Sequence, residues 1–307
     1  LVKELKNFIY GTNIYASVNP TQEISRGVYA WHGSDDEETF KENIKSQIRK
    51  SFLKPYVNKP IEYKINKQHL RCDFDIDYIE DNPVDLFLGC SHTFGTGHYK
   101  KNTWPQLVTK ATGNIQVNLG KGGGGIETSY LRLLQYIRRL NVKNVFHLQP
   151  PYFRYGYRTD RTHKTWIVAM DEEEMRELYG QDYIWNNYLS DGNKEYEYMK
   201  FLNLIRFECE KLNIPYFHSN MKKINDQDLA RHIELYKQLW DAEETRKGLK
   251  AFKNYGDTPA RDLIHYPASM MKKVGEMFVD LYDKYPEGKV IEAFNIDKAL
   301  EYKKQLL

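Results

Sequence analysis

The chain has 307 residues, with 45 Lys and Arg against 42 Asp and Glu, a net charge of +3. That balance argues against a polyanion-binding surface, so nucleic acid is not an expected partner; 41% hydrophobic and 28% charged residues are ordinary for a soluble globular chain, and no apolar run approaches the roughly 18 residues of a membrane span. Three cysteines, Cys72, Cys90 and Cys209, lie far apart without CxxC spacing, which suggests neither a disulfide framework nor a metal set and makes a reducing, cytoplasmic compartment the default expectation.

Taken in chain order, the opening LVKELKNFIYGTN lacks the charged-then-apolar pattern of an export signal. Residues 1–60 read as irregular, apart from a polar helix over Asp36–Phe52. IEYKIN (61–66) and CDFDIDYI (72–79) alternate apolar and polar residues and predict two strands, a hairpin ahead of the main domain. VDLFLGC (84–90) predicts the first core strand. A helix follows over 103–112, with Thr103 as its cap and Pro105 tolerated in the first turn. IQVNLG (115–120) is the second strand. Over 126–140, Ile126, Tyr130, Leu133, Leu134, Ile137 and Leu140 share one helix face. NVFHLQ (144–149) is the third strand, 195–212 a helix and IPYFHS (214–219) the fourth strand. Further helices are expected over 226–244, 266–285 and 295–306. Strands alternating with helices predict an α/β fold, a three-layer α/β/α sandwich on a parallel, flavodoxin-like sheet. The expected division is an N-terminal extension (1–82), the main domain (83–286, with an insertion at about 151–193) and a C-terminal helical tail (287–307).

Ligands bind beyond the carboxyl ends of such strands, and three motifs fall there. Gly89-Cys90-Ser91-His92-Thr93-Phe94-Gly95 follows the first strand directly. Small residues allow a sharp turn that presents Ser91, whose hydroxyl is a useful nucleophile only if a base takes its proton. The same stretch also reads as a plain strand-to-helix turn with a capping hydroxyl. Asp262-Leu263-Ile264-His265-Tyr266-Pro267 precedes an amphipathic helix. An Asp three residues before a His can orient the imidazole and stabilise the imidazolium; the alternative is a helix-capping Asp beside a surface His. Asn118 to Gly125 places glycines at the start of a helix, where free N–H groups and the dipole favour an oxyanion. Gly120, Gly122 and Gly125 also satisfy GxGxxG, but the next strand ends in His147-Leu148-Gln149-Pro150, without the acid that dinucleotide binding requires.

In this order and spacing, the three motifs resemble the SGNH (GDSL-like) hydrolases over roughly residues 84 to 284. Ile65, Asn66 and Arg71 are similar to the lead-in segment of some bacterial and phage members. The resemblance implies that Ser91 is the nucleophile, with Asp262 and His265 its partners. It also implies an oxyanion hole formed by the backbone N–H groups of Ser91 and Gly123. Two departures stand out. Cys90 replaces the family's Asp, and Leu148-Gln149-Pro150-Pro151 stands where the family's third block supplies an Asn side chain. Gln149 is the candidate replacement donor. A lost oxyanion donor typically costs ~10²–10³ in turnover.

The stretch 152–161 interleaves aromatics with arginines just after the third strand, and Tyr is abundant overall, 24 against 14 Phe. Arg154, Tyr155 and Tyr157 are therefore expected to contact substrate, as aromatic faces and arginine donors suit sugars and anions; packing against another part of the chain or another subunit is the alternative. His92, His98 and His265 lack metal-ligand spacing with a carboxylate, and His147 reads as a core residue, so neither metal nor cofactor is expected. The resulting expectation is a serine esterase acting on a small-molecule or glycan ester, an O-acetyl group for example. An acyl transferase would use the same residues. The alternative is a weakly active or inactive glycan-binding component of an oligomer or larger assembly such as a virion.

Overall fold

The computed structural model describes residues 25–151, 154, 191–220, 258–285 and 291–292. The expected helices at 226–244 and 295–306, and nearly all of the 151–193 insertion, lie outside the described residues. Five parallel strands form the central sheet: β3 (Pro83–Gly89), β4 (Ile115–Asn118), β5 (Asn141–Gln149), β6 (Tyr216–Asn220) and β7 (Ile291–Glu292). β1 (Gly27–Tyr29) and β2 (Tyr63–Ile65) form a separate antiparallel pair. The helices are α1 (Glu37–Asn43), α2 (Gln47–Asn58), α3 (Ser91–Phe94), α4 (Trp104–Thr112), α5 (Ile126–Tyr136), α6 (Asp191–Lys211) and α7 (Ala268–Lys284). The sheet order β4-β3-β5-β6-β7 is the flavodoxin-like order, with the topological switch at β3 and β5.

Both faces of this sheet are covered, so its strands read as apolar runs rather than as clean alternation. Val84, Leu86 and Leu88 of β3 point to one side and pack with Ile126 and Leu133 of α5 and Ile205 and Cys209 of α6. Phe87 points to the other side, into a cluster with Trp104 and Val108 of α4 and Met271, Val274 and Phe278 of α7. There the register aligns Phe87, Phe146 and Phe217 on adjacent strands. Their rings stack at 5.4 and 5.0 Å. α4 and α7 cross closely at Gly275, where a Cβ would stand 2.8 Å from that of Leu107.

The N-terminal segment departs from expectation. The polar helix is two helices: the chain caps at Ile44 and restarts at Ser46, whose hydroxyl accepts from the Arg49 N–H. Residues 72–79 form no strand, only a 3-10 turn at Ile76–Tyr78. The expected pairing is reduced to its start, an antiparallel bridge between Ile65 and Arg71 with the Cys72 N–H on the Lys64 carbonyl (3.0 Å); beyond it side chains take over, as Asn66 donates to the Phe74 carbonyl and Gln68 accepts from the Ile76 N–H. The partner of β2 is β1. Thr103 sits at the cap of α4, but its hydroxyl donates backward to the Lys100 carbonyl. α5 ends at Tyr136, short of the expected residue 140.

At the amino end of the sheet, Asp85 is fully buried. It accepts from Thr112 Oγ1 (2.6 Å), Asn114 Nδ2 (2.9 Å) and Asn144 Nδ2 (2.7 Å). This carboxylate joins β3 to β5 and to the α4–β4 connection. Asp85→Ala leaves three donors unpaired and should lower the unfolding free energy by about 3 kcal/mol. Urea denaturation at neutral pH checks this.

Candidate active site

The carboxyl end of β3 is shaped by a steric constraint. Gly89 has φ 144°, and a Cβ there would lie 2.2 Å from Thr93 Oγ1 and 2.6 Å from the Leu148 carbonyl oxygen. Only glycine lets the chain turn so closely against its neighbours. α3 starts at once with Ser91, and the left-handed Gly95 closes it by donating its N–H to the Ser91 carbonyl (2.8 Å). Ser91 is 7% exposed. As the first residue of the helix, its N–H has no intrahelical acceptor. Cys90 is wholly buried.

The glycine run after β4 lies against this turn. Asn118 Nδ2 donates to the Thr93 carbonyl (2.8 Å), and Asn118 Oδ1 accepts from the Gly120 N–H (2.9 Å). Gly120 approaches so closely that a Cβ would meet the Phe94 nitrogen at 2.4 Å. The Lys121 N–H donates to the Gly89 carbonyl (3.1 Å). Gly123 sits in the ensuing turn with φ 69°, and Gly125 caps α5. Sequence reasoning cast Asn118 only as the head of a glycine motif; its amide in fact fastens the glycine run to the Ser91 helix.

The Asp-His loop comes to the same end of the sheet. Asp262 is 2% and His265 6% exposed. Asp262 Oδ2 pairs with His265 Nδ1 at 2.6 Å. Asp262 Oδ1 accepts from the Ile264 and His265 N–H groups at 3.1 and 3.2 Å. Leu263 takes a left-handed φ of 59° to make this geometry, an uncommon conformation for a side-chain-bearing residue. Burial opposes ionisation of Asp262, but the His265 bond and charge, the Ser34 hydroxyl and the backbone donors outweigh it and hold the carboxyl well below its ordinary range.

The Ser turn and this loop meet through His92, whose ring lies edge-on to His265 at 4.8 Å and against Tyr266 at 4.2 Å. The chain of Arg261 donates its N–H to the Gly97 carbonyl (2.9 Å). Among the described residues, no hydrogen bond joins the Ser91 hydroxyl to His265. His98 points inward, its Nε2 on the Tyr266 carbonyl at 2.6 Å.

Gln149 stands at the end of β5, with its amide held by two neighbours that leave one Nε2 proton unassigned. Its Nε2 bonds His218 Nδ1 and its Oε1 accepts from the Tyr198 hydroxyl, each at 2.7 Å. Arg154 carries a buried Nη1 without a hydrogen-bond partner among the described residues, and its charge acts on His92 and Tyr266, which sets it beside the site. Tyr155 and Tyr157 lie outside the described residues. His147 is wholly buried and bonds the Tyr216 hydroxyl through Nδ1 (2.8 Å). Among the described residues no group of three His, Cys, Asp or Glu side chains is arranged to hold a metal ion, and no helix is long and apolar enough to cross a membrane.

Several residues at the site carry no local sequence signal. Ser34 Oγ donates to Asp262 Oδ2 (2.8 Å). Asp35 makes a buried, two-pronged ion pair with Arg261, both bonds 2.7 Å. Arg71 donates to the carbonyls of Phe94, Gly95 and His98 (3.1, 2.6 and 2.8 Å) and so closes the end of the Ser91 helix. No pattern of spacing links residues 34, 35 and 71 to residues 91 and 262; only the resemblance of the lead-in segment pointed to Arg71. Neither a protein-family model nor a curated protein sequence matches this chain.

Burial favours the uncharged form of two histidines beside the site, His92 and His98. Burial lowers the pKa of His98 from its ordinary 6.5 to about 4, and it pushes His92 down as well. At these two positions the native state therefore binds fewer protons than the unfolded chain below pH 6.5. Their contribution to stability is full above that pH and is lost as the pH falls toward about 4. His98→Gln retains a donor for the Tyr266 carbonyl. It should make the acid limb of the unfolding free energy shallower by about 1.4 kcal/mol per pH unit in that window, read by denaturant titrations at stepped pH.

Proposed function

We propose that the protein is a serine esterase resembling the SGNH hydrolases, with Ser91 as nucleophile, His265 as general base and acid, and Asp262 as the carboxylate that orients the ring. One observation carries the reading. The Asp262–His265 pair, bonded at 2.6 Å, packs through His92 against the turn that bears Ser91, at the ligand-binding end of a parallel sheet.

In the proposed cycle, His265 takes the Ser91 proton as the oxygen attacks the acyl carbonyl. The N–H groups of Ser91 and Gly123 stabilise the oxyanion. His265 then protonates the leaving alcohol and activates the water that releases the acyl group. The Ser91 hydroxyl and the imidazole close their hydrogen bond when substrate enters, as catalytic hydrogen bonds often tighten only in the complex. Arg154 offers its unpartnered Nη1 to a polar or anionic group of the substrate. The substrate class is a small-molecule or glycan ester, an O-acetylated carbohydrate in the simplest form. If an alcohol replaced water at the second step, the enzyme would be an acyl transferase. Three free, buried cysteines suit a reducing compartment such as the cytoplasm.

A second reading, an SGNH-like glycan-binding component of a larger assembly such as a virion, draws on Gln149. Its amide is held by His218 and Tyr198, so at most one of its two Nε2 protons is left for an oxyanion, in an orientation those partners set. Hydrolysis of p-nitrophenyl acetate separates the two readings. The esterase should turn it over and take up a fluorophosphonate label, and Ser91→Ala should lose both. Asp262→Asn should cost on the order of 10³–10⁴ in kcat, by analogy with the serine-protease triad. Equal rates from the native protein and Ser91→Ala would leave only the binding role.

A further inference from the structure

We infer that Ser34 is a positioning residue of the site, so that the N-terminal segment is a working part of it rather than an appendage. The inference rests on the triad reading of Ser91, His265 and Asp262. Ser34 Oγ donates to Asp262 Oδ2 at 2.8 Å, the same oxygen that pairs with His265 Nδ1. With the Ile264 and His265 N–H groups on Oδ1, the carboxylate has two donors on each oxygen. Ser34 is the only one of the four supplied from outside the Asp262–His265 loop, and it comes from 228 residues away in the chain.

The turn that carries Ser34 is fixed on both sides. His32 and Asp35 bond each other's backbone across it (2.9 and 3.2 Å), and Gly33 supplies the left-handed residue, φ 61°. The next residue, Asp35, grips Arg261 through both carboxylate oxygens and accepts from the Tyr63 hydroxyl. Asp36 accepts from the Thr39 N–H at 2.8 Å and so caps α1. The Arg261 guanidinium in turn lies 3.8 Å from the Trp31 ring centre. Asp35 thus grips the residue before Asp262, and the register sets the Ser34 hydroxyl on the carboxylate. A carboxylate held by two donors on Oδ2 cannot swing away from the imidazole, and it keeps its charge for the imidazolium that forms on proton transfer.

The test measures Ser34→Ala and Ser34→Thr on the full chain, in two ways. The first is turnover of p-nitrophenyl acetate. Loss of one charge-assisted hydrogen bond from the orienting carboxylate should lower kcat roughly tenfold with KM little changed, and Ser34→Thr, which keeps the hydroxyl, should recover most of it. The second is independent of activity: the downfield proton resonance of His265 Nδ1–H, assigned by its loss in His265→Gln. It should move or broaden in Ser34→Ala and return in Ser34→Thr, with the melting temperature of both variants showing that they are folded. If Ser34→Ala does not fold, Ser34→Cys, a weak donor of similar size, takes its place. An unchanged resonance in the folded Ser34→Ala protein overturns the inference. If the native protein shows no Ser91-dependent turnover, the esterase reading falls, and the resonance alone decides whether Ser34 positions the Asp262–His265 pair.

Discussion

The ion pair between Asp35 and Arg261 ties the two ends of the fold together. Both side chains are 1% exposed, and a charge so placed is tolerable only when its hydrogen bonds are met. They are met here: Arg261 reaches both oxygens of Asp35 and the Ala30 carbonyl, its face is covered by Trp31, and Asp35 accepts in addition from Tyr63. Burial raises the Asp35 carboxyl, against the pull of Arg261 and Tyr63. Removing either partner would leave a buried charge uncompensated. The pair therefore fixes where residue 262 stands relative to the N-terminal segment. The third apolar cluster adds to this, as Leu53, Tyr56, Ile61, Tyr63 and Ile65 pack together with Phe94 of the Ser91 helix and Leu263 of the Asp-His loop.

Around that anchor the site is built from backbone more than from side chains. Gly89 and Gly120 let strand ends and α3 approach to distances that any Cβ would forbid. Arg71, itself fully enclosed, donates through Nη1 and Nη2 to three carbonyls at the end of the Ser91 turn, and burial lowers its pKa to about 10. A short helix held at both ends in this way gives its first residue a defined position without a long packed face. His92, buried and held neutral, lies against the His265 ring, and the Asp262–His265 pair is itself buried, where a hydrogen bond between charged and polar groups is stronger than in water.

Much of the parallel sheet was legible in the sequence. The apolar run 84–90, the amphipathic face of 126–140 and the alternation of strands with helices carry their own periodicity, and that periodicity is local. The errors fell where side chains compete with the backbone for hydrogen bonds. CDFDIDYI alternates like a strand, yet Asn66, Gln68 and Asp75 satisfy the turn around it, so the pairing stops at one bridge, Ile65 with Arg71. Ser46 divides a helix that looked continuous, because its hydroxyl caps a new start. For the site, Ser91, Asp262 and His265 sit in short motifs that name themselves, and the structure brings those motifs to one end of the sheet. The partners that hold the Gln149 amide, His218 and Tyr198, lie 69 and 49 positions away and leave no mark in local sequence.

The sequence by itself determined the layer architecture and the three motifs, since each depends on residues within a turn or two of one another. Only the tertiary structure decided that Ser34 and Asp35 lie against the Asp-His loop, and that Arg71 closes the end of the Ser91 helix. Those contacts bridge up to 228 positions of chain, and nothing in local spacing records them. They exist because burying Arg261 and Asp262 required partners, and the folded chain supplied them from its N-terminal segment.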